Sequence, residues 1–185
     1  MDIPFIPAHS SNYARGRTAP ILWIVVHYTA NDGDTDTNNA HYFQGAGRGA
    51  SAHYFVDEDS ITVRDSDTAW HCGAERGGSY FNGARNANSI GIEMCSDVVG
   101  GRYTITEQTA ARTAGLVRSL MDKYNIPLSR VCRHYDVTHK ACPESAAVGG
   151  FQAAAGRGGG WNDREKECAA ERHSVPLRVH RKGRI

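Results

Sequence analysis

Two apolar runs constrain the fold more than any other feature of the sequence. Residues 21–26 read Ile-Leu-Trp-Ile-Val-Val, and residues 90–95 read Ile-Gly-Ile-Glu-Met-Cys. An uninterrupted apolar run of this length, rich in β-branched side chains, is typical of a strand that is buried on both faces of a sheet. The two runs therefore predict central strands of a buried sheet.

Local signals predict the remaining regular elements. Polar caps and glycine stops indicate a short helix, and a polar turn between two apolar segments indicates a hairpin. A capping-box pattern at Thr104 and Glu107, followed by an apolar stripe, indicates a longer helix. The predicted elements are a helix capped within residues 34–37 and running to 43, strands at 51–56 and 61–64, a helix from about 104 to 124, and a strand at 128–132.

The length of 185 residues predicts one domain. We expect an extended N-terminal arm at residues 1–19, the folded domain at 20–145 and a tail at 146–185. The tail is rich in Gly and Ala as far as Gly160 and basic beyond it. No helical period of large apolar residues is present in its first half, which predicts an irregular and poorly ordered segment.

The formal charge of +1 conceals an asymmetry between body and tail. From Arg157 onward there are 8 basic and 4 acidic residues, which leaves 13 basic and 16 acidic residues before it. A body with a slight acidic excess lacks the basic footprint of a nucleic-acid-binding domain. We therefore expect no nucleic-acid partner, and we expect the basic tail to be solvated.

The N-terminal sequence and the cysteines indicate the cellular compartment in which the chain is made. The first 20 residues lack the basic-then-apolar pattern of a signal peptide, and no run of about 18 apolar residues predicts a spanning helix. Five cysteines at irregular spacings do not form a disulfide framework. We expect a chain that is made in the cytoplasm, with thiols that are mostly reduced and buried, and Cys142 as the exception.

A short segment at residues 133–143 concentrates groups that bind metals. It contains His134, His139, Lys140 and Cys142, and it looks loop-like. Imidazole and thiolate are ligands that zinc prefers. Lys140 brings a positive charge that could lower the thiol pKa or face a reacting oxygen.

Two further candidates lie on the predicted central strands. His27 ends the first strand and is followed by a polar turn, which places it at the rim of the sheet. Glu93 lies inside the second strand, where an uncompensated carboxylate is costly. Such surroundings tune a glutamate into a general acid or base, although a buried structural ion pair is the alternative.

Other histidines are less informative. Trp70 and His71 suit the wall of a polar ligand groove or an ordinary rim contact. His53 lies among apolar neighbours, where a histidine is more often structural. His71 and Cys72 are adjacent, so their side chains diverge and a joint metal site is not expected.

Zinc that performs hydrolysis requires three protein ligands and one open position. His27, His134 and Cys142 are the candidates, and none of the close-spaced zinc signatures is present. The hypothesis of a zinc hydrolase rests on the combination of these three residues with Glu93 and Lys140, which would add a proton shuttle and a partner for an oxyanion.

Six short sequence segments, taken together, are highly specific for one protein family. Residues 20–143 resemble the zinc-dependent N-acetylmuramoyl-L-alanine amidases of the type-2 class, which includes phage and prophage endolysins and is related to peptidoglycan recognition proteins. The matching pieces are Val-Val-His-Tyr-Thr-Ala at 25–30, Ser-Ala-His-Tyr at 51–54, Ala-Trp-His at 69–71, Asn-Ser-Ile-Gly-Ile-Glu at 88–93, Arg-His-Tyr-Asp at 133–136 and Lys-Ala-Cys-Pro at 140–143.

The resemblance implies an α/β fold with a mixed central sheet flanked by helices. It implies hydrolysis of the amide bond between N-acetylmuramic acid and L-alanine in peptidoglycan, by a monomer with one zinc ion. It implies the zinc ligands His27, His134 and Cys142, with Glu93 as acid/base and Lys140 as oxyanion stabiliser. His53, Trp70, His71 and Asn88 are then expected to bind or orient the substrate.

Three alternatives stay open. A cytoplasmic amidase that acts on anhydro-muropeptides during wall recycling would need the same residues. A muropeptide-binding module without catalysis, or a purely structural zinc domain, would not need Glu93. The segment at 146–160 also lacks the amphipathic helix that usually closes relatives of this class, so the tail departs from the family pattern.

Overall fold

A five-stranded mixed sheet forms the centre of the computed structural model, which describes residues 3–57, 60–74 and 78–143. The strands are β1 Tyr13–Ala14, β2 Trp23–Tyr28, β3 Tyr54–Val56, β4 Ser60–Ile61, β5 Thr68–Ala69, β6 Ser89–Met94, β7 Asp97–Val99, β8 Arg102–Thr104 and β9 Val131–Arg133. The α-helices are α1 Asp36–Gln44, α2 Glu107–Tyr124 and α3 His134–Thr138. Short 3-10 helices cover Ser10–Asn12, Asn86–Asn88 and Leu128–Arg130.

The strand order is β4-β3-β6-β2-β9. Strands β3, β6, β2 and β9 run parallel, and only β4 at the edge is antiparallel. The two apolar runs of the sequence thus become the paired strands β2 and β6 in the middle of the sheet. This arrangement confirms the predicted mixed central sheet flanked by helices.

Alternate residues of β2 and β6 face opposite sides of the sheet, as the period of two in a strand requires. Ile24 and Val26 of β2, with Ile90, Ile92 and Met94 of β6, belong to the main core together with the buried stripe of α2. That stripe consists of Ala110, Ala114, Val117 and Leu120. The other face of the two strands therefore carries Val25, His27, Ser89, Gly91 and Glu93.

The predicted helices at 34–43 and 104–124 are confirmed as α1 and α2, with one correction. Thr35 caps α1 and Gly45 ends it, as the sequence indicated. The N-cap of α2 is Thr106, whose hydroxyl accepts a hydrogen bond from the backbone of Thr109. The capping-box assignment to Thr104 was wrong, because Thr104 is the last residue of β8.

The segment at 133–143 is not a simple loop. His134 begins α3, and Asp136 accepts hydrogen bonds from the backbone and side chain of Arg133 at the start of that helix. His139 ends the helix in the left-handed region, at φ 61°. The predicted strand at 128–132 is likewise shorter than expected, since a 3-10 turn precedes β9.

The N-terminal arm packs along the edge of the sheet. Ile6 and Ala8 donate backbone hydrogen bonds to Ile61 and Thr62, and β1 pairs with β5. The Arg17 side chain reaches inward to the backbone carbonyls of Ala87 and Ser89. The predicted boundary between arm and domain at residue 20 stays a prediction.

Four of the five cysteines lie within the described residues, and these four are buried and form no disulfide. Burial was expected for Cys72, Cys95 and Cys132, whereas Cys142, the expected exception, is buried as well. Cys168 and the predicted tail at 146–185 lie outside the described residues. None of the helices in the described ranges combines the length and the hydrophobicity that a bilayer crossing requires.

Candidate metal centre and active site

A cavity of about 450 Å3 opens above the ends of β2 and β6. Two other cavities, of about 310 and 490 Å3, are lined by the N-terminal arm and by the end of α2 and contain neither histidine nor cysteine. The first cavity is lined by His27, Tyr28, Thr29, Ala30, Phe43, Ala50, Ser51, Phe55, Trp70, His71, Glu93, His134, Lys140, Ala141 and Cys142. It is therefore where the chemically reactive side chains converge.

Three buried side chains form a cluster that could hold a metal ion. One ligand atom each from His27, His134 and Cys142 lies within 4.8 Å of the other two. The Cys142 Sγ is 3.6 Å from the His27 Nδ1. A tetrahedral zinc site with Zn–N near 2.0 Å and Zn–S near 2.3 Å separates nitrogen and sulfur by about 3.5 Å. The spacing of this pair thus fits a shared zinc ion.

Local backbone structure brings two of these ligands together. Because α3 ends at His139, the chain turns back over the start of the helix. The backbone N–H of Tyr135 donates to the carbonyl of Cys142 at 2.9 Å. This bond satisfies one of the N–H groups that every helix leaves unpaired in its first turn. It also places Cys142 beside His134, although eight positions separate the two in sequence.

Each histidine of the cluster has an outer hydrogen-bond partner. His134 Nε2 lies 3.2 Å from the carbonyl oxygen of Gly73, which can only accept, so the proton of a neutral His134 is on Nε2. His27 Nε2 lies 3.0 Å from Nδ1 of His71. Such outer partners orient histidine ligands in metal sites.

The electrostatic surroundings suit a cation. Burial, together with the neighbouring His71 and His134, holds the pKa of His27 well below its ordinary value, so this imidazole is neutral. Burial and the nearby Glu93 raise the pKa of the Cys142 thiol to about 12. A thiolate therefore forms at neutral pH only if a bound cation stabilises it. Two imidazoles and one thiol form a donor set that zinc accepts.

Glu93 faces the same cavity from β6. Its Oε2 atom is buried and has no hydrogen-bond partner in the described part of the chain. Burial, and to a lesser extent the charge of Asp34, raises the pKa of Glu93 to about 8, while Lys140 acts in the opposite direction. A carboxyl group with a pKa near neutrality can both accept and return a proton.

The loop after His27 is fixed by Asp34. Its carboxylate accepts hydrogen bonds from the Thr29 hydroxyl at 3.1 Å, the Ser96 backbone at 3.1 Å and the Asn39 amide at 2.6 Å. These bonds tie the end of β2 to the end of β6 and to α1. The edge of the sheet that carries His27 and Glu93 is therefore stabilised by these three contacts of Asp34.

Lys140 and Trp70 also line the cavity. Lys140 is exposed and follows the end of α3, so its ammonium group can reach a ligand above the cluster. Trp70 is anchored through its backbone N–H, which donates to the Ser51 hydroxyl at 3.0 Å. Both residues line the same cavity as the candidate metal ligands, and their predicted roles stay predictions.

Two predicted site residues lie outside the cavity lining. The fully buried His53 accepts a hydrogen bond from the Gly91 backbone at 3.0 Å, and Arg17 lies 2.7 Å from its other nitrogen. Asn88 closes a turn by bonding the backbone of Arg85 and Gly83. Neither position offers direct contact with a ligand in the cavity.

Sequence reasoning missed several lining residues, among them Tyr28, Thr29, Phe43, Ser51 and Phe55. Tyr28 and Thr29 follow His27 directly, so their position at the same strand end was a usable signal. The two phenylalanines carried no such signal, because apolar residues of this kind are equally typical of a core.

Comparison with known proteins identifies the family of the chain. The profile of the N-acetylmuramoyl-L-alanine amidase family, Amidase_2, matches residues 17–145. A probable N-acetylmuramoyl-L-alanine amidase of Bacillus licheniformis is 37% identical over 135 residues, which are 69% of this chain and 37% of that protein. The amidase XlyA of Bacillus subtilis is 32% identical over 160 residues, 84% of this chain and 50% of that protein.

Solved structures give the same result for the fold. The catalytic domain of XlyA superposes with a TM-score of 0.68 at 28% identity, covering 84% of this chain and all of that domain. PlyL superposes with a TM-score of 0.63 at 26% identity, covering 77% of this chain and 87% of that structure. The chain belongs to the N-acetylmuramoyl-L-alanine amidase family.

The chain spans about a third to a half of the length of the curated relatives it matches. The match to the family profile, at residues 17–145, includes every residue that lines the cavity.

Proposed function

We propose that this protein is a zinc-dependent amidase that hydrolyses the bond between the lactyl group of N-acetylmuramic acid and L-alanine in bacterial peptidoglycan. The observation that carries this proposal is the convergence of five side chains on one cavity: His27, His134, Cys142, Glu93 and Lys140. The family match supports the choice of bond, because the relatives it joins are named as amidases of this kind.

His27, His134 and Cys142 would hold the zinc ion, as their spacing and donor atoms support. A zinc ion at that position supplies Lewis acidity to the scissile carbonyl and to the attacking water. All three residues line the cavity, so a fourth coordination position would face it, as a catalytic rather than a structural zinc site requires.

Glu93 is the proposed general base and acid. Its Oε2 atom is buried and has no hydrogen-bond partner among the described residues, so it is available to accept the proton of the attacking water. The same carboxyl group then donates that proton to the amine of L-alanine as the carbon–nitrogen bond breaks. The balance is one water consumed, with one carboxylate and one ammonium group formed.

Lys140 is the proposed partner of the amide oxygen. Its charge lies at the same cavity as Glu93 and lowers the pKa of that carboxyl group, which supports a position near the reacting atoms. A fixed cation where negative charge develops stabilises the transition state more than the ground state. Trp70 would form an apolar wall for the peptide or the sugar.

We infer that the protein lyses cell walls in the manner of an endolysin. The support is the similarity to XlyA and to an endolysin of Bacillus subtilis, whose mutant superposes with a TM-score of 0.69 at 27% identity. The substrate would then be intact, crosslinked peptidoglycan rather than a small soluble fragment.

The test is incubation of the full chain with purified sacculi, with and without a zinc chelator. The expected result is the appearance of new L-alanine amino termini, which chelator prevents and added zinc restores. A parallel incubation with soluble anhydro-muropeptides separates wall lysis from wall recycling. Release of sugar reducing ends without L-alanine amino termini would contradict the proposal, and so would hydrolysis that survives complete removal of the metal.

A further inference from the structure

His71 makes two hydrogen bonds that connect the candidate metal centre to the backbone. Its Nδ1 lies 3.0 Å from His27 Nε2, and its Nε2 lies 3.0 Å from the Ser89 hydroxyl. The Ser89 Oγ in turn lies 2.6 Å from the carbonyl oxygen of Arg85. His27, His71 and Ser89 are all buried.

The donor and the acceptor of each of these hydrogen bonds follow from the last group, the carbonyl of Arg85. A carbonyl oxygen can only accept, so the single hydroxyl proton of Ser89 goes to Arg85. The Ser89 oxygen then accepts from His71, which places the proton of the His71 ring on Nε2. A neutral imidazole has one N–H, so Nδ1 of His71 is an acceptor and Nε2 of His27 must donate to it.

This arrangement determines which nitrogen of His27 binds a metal. With its proton on Nε2, the lone pair of His27 is on Nδ1, the atom that lies 3.6 Å from the Cys142 sulfur. We propose that His71 is a positioning residue, which holds the His27 proton on Nε2 and keeps Nδ1 directed at the metal. The inference deepens the proposed function, because it rests on a zinc ion bound by His27.

Packing against β6 limits the position of the His71 ring on one side. The ring lies against the backbone of Gly91, where an added Cβ would overlap the ring Cγ. Any side chain at position 91 would thus displace the ring. Gly91 and Ser89 are alternate residues on the face of β6 that carries the site, so the strand supplies both the space and the hydroxyl that His71 needs.

Direct substrate binding by His71 is the competing role for a residue at the cavity wall. Both of its ring nitrogens are already engaged, one by His27 and one by Ser89. No nitrogen remains to hydrogen-bond a substrate unless the connection to His27 breaks. The geometry therefore favours action through His27.

The experiment compares zinc affinity in the full chain and four variants, by competition with a chromophoric chelator. We expect His71→Phe, which keeps a ring but removes both bonds, to weaken zinc binding by about 10- to 100-fold. His71→Asn should restore most of the affinity, because its amide oxygen can replace Nδ1 as the acceptor. Ser89→Ala should weaken binding several-fold. Ser60→Ala is the matched control, since Ser60 is equally buried and its hydroxyl also bonds a backbone carbonyl, but Ser60 does not line the cavity.

Two spectroscopic measurements test the position of the proton itself. Nitrogen-15 NMR of zinc-loaded wild-type protein should show His27 protonated on Nε2 and bound through Nδ1. The visible spectrum of the cobalt-substituted protein should change in His71→Phe and return toward that of wild type in His71→Asn. Neither signal would respond to a residue that only fills space.

The outcomes separate this inference from the function on which it rests. A wild-type protein that binds no zinc overturns both. Wild-type zinc binding with unchanged affinity and cobalt spectrum in a folded His71→Phe variant overturns the role of His71 alone, as does His27 bound through Nε2. If His71→Phe does not fold, two measurements still test the role of His71. They are the zinc affinity of Ser89→Ala relative to that of Ser60→Ala, and the NMR of the wild-type protein.

Discussion

His27 and Glu93 are register partners on neighbouring parallel strands, directly opposite each other on β2 and β6. Parallel strands place such partners on the same face of the sheet, so a candidate metal ligand and a candidate proton shuttle stand side by side at one rim. A shift of the register by one residue would move one of them to the face that packs against α2. The pairing of two buried strands thus determines the geometry of the site.

Glu93→Gln tests the proton transfer. The amide has the shape of the carboxyl group but cannot accept the proton of water, so we expect kcat on peptidoglycan to fall by about 100- to 10,000-fold. Zinc stoichiometry, measured by metal analysis, should stay at that of the wild type. The control is Glu107→Gln at the exposed start of α2, which should keep full activity. Full lysis by zinc-loaded Glu93→Gln would contradict the role.

The pH dependence of stability in the metal-free protein tests the surroundings of Glu93. Because the pKa of about 8 in the folded state exceeds the ordinary 4.5, the folded protein binds this proton more tightly than the unfolded chain does. The resulting stabilisation is complete below about pH 4.5 and is lost as the pH rises through 8. The difference in unfolding temperature, Glu93→Gln minus wild type, should therefore increase by at least about 4 °C as the pH is raised from 5 to 9. Parallel profiles for the two proteins would show that the carboxyl group is not perturbed in this way.

Cys142→Ala tests the ligand set. Loss of one of three protein ligands should reduce zinc affinity by more than about 100-fold, a larger effect than the loss of an outer partner. Cys132→Ala is the matched control, because Cys132 is also buried but packs in a core with Val25 and Val137. That control should lose about 1 kcal/mol of stability and keep its zinc. Equal zinc affinities in the two variants would exclude Cys142 as a ligand.

Lys140→Gln tests the stabilisation of the amide oxygen. We expect kcat to fall by about 100- to 1,000-fold, while zinc affinity and the unfolding temperature change little, because the side chain is exposed. Lys123→Gln is the control, since Lys123 is an exposed lysine that pairs with Asp65 away from the cavity. A change in KM alone for Lys140→Gln would indicate substrate binding rather than transition-state stabilisation.

Gly91→Ala tests the packing under His71. The new methyl group would meet the His71 ring, so we expect a loss of stability of about 1–3 kcal/mol together with weaker zinc binding. Gly115→Ala introduces the same methyl group on α2, where no atom lies within 4 Å. That variant should gain up to about 1 kcal/mol, because alanine favours helix over glycine. Denaturant unfolding measures both, and equal effects would show that position 91 has room for a side chain.

Much of the scaffold could be predicted from local sequence. The apolar runs at 21–26 and 90–95 form most of β2 and β6. Thr35 caps the start of α1 and Gly45 ends it, as their residue types indicate. The start of α2 was misplaced by two residues, because Thr104 and Thr106 both precede the apolar stripe. Only the backbone conformation of the folded chain selects which threonine caps the helix.

The role of His71 could not be predicted in the same way. Its sequence neighbours Trp70 and Cys72 indicate a rim position, but nothing near it in the chain points to His27 or Ser89. Those contacts span 44 and 18 positions and exist only once β6 pairs with β2 and Gly91 makes room for the ring.

The sequence by itself determined the two central strands and the chemical types of the candidate ligands, because hydrophobic pattern and residue identity are local properties. Only the tertiary structure decided that His27, His134 and Cys142 meet within 4.8 Å, that Glu93 stands beside them, and which nitrogen of His27 faces the site. These relations join His27 to residues 44 to 115 positions away in the sequence. They depend on strand order and register, which long-range packing of the core selects and no local pattern encodes.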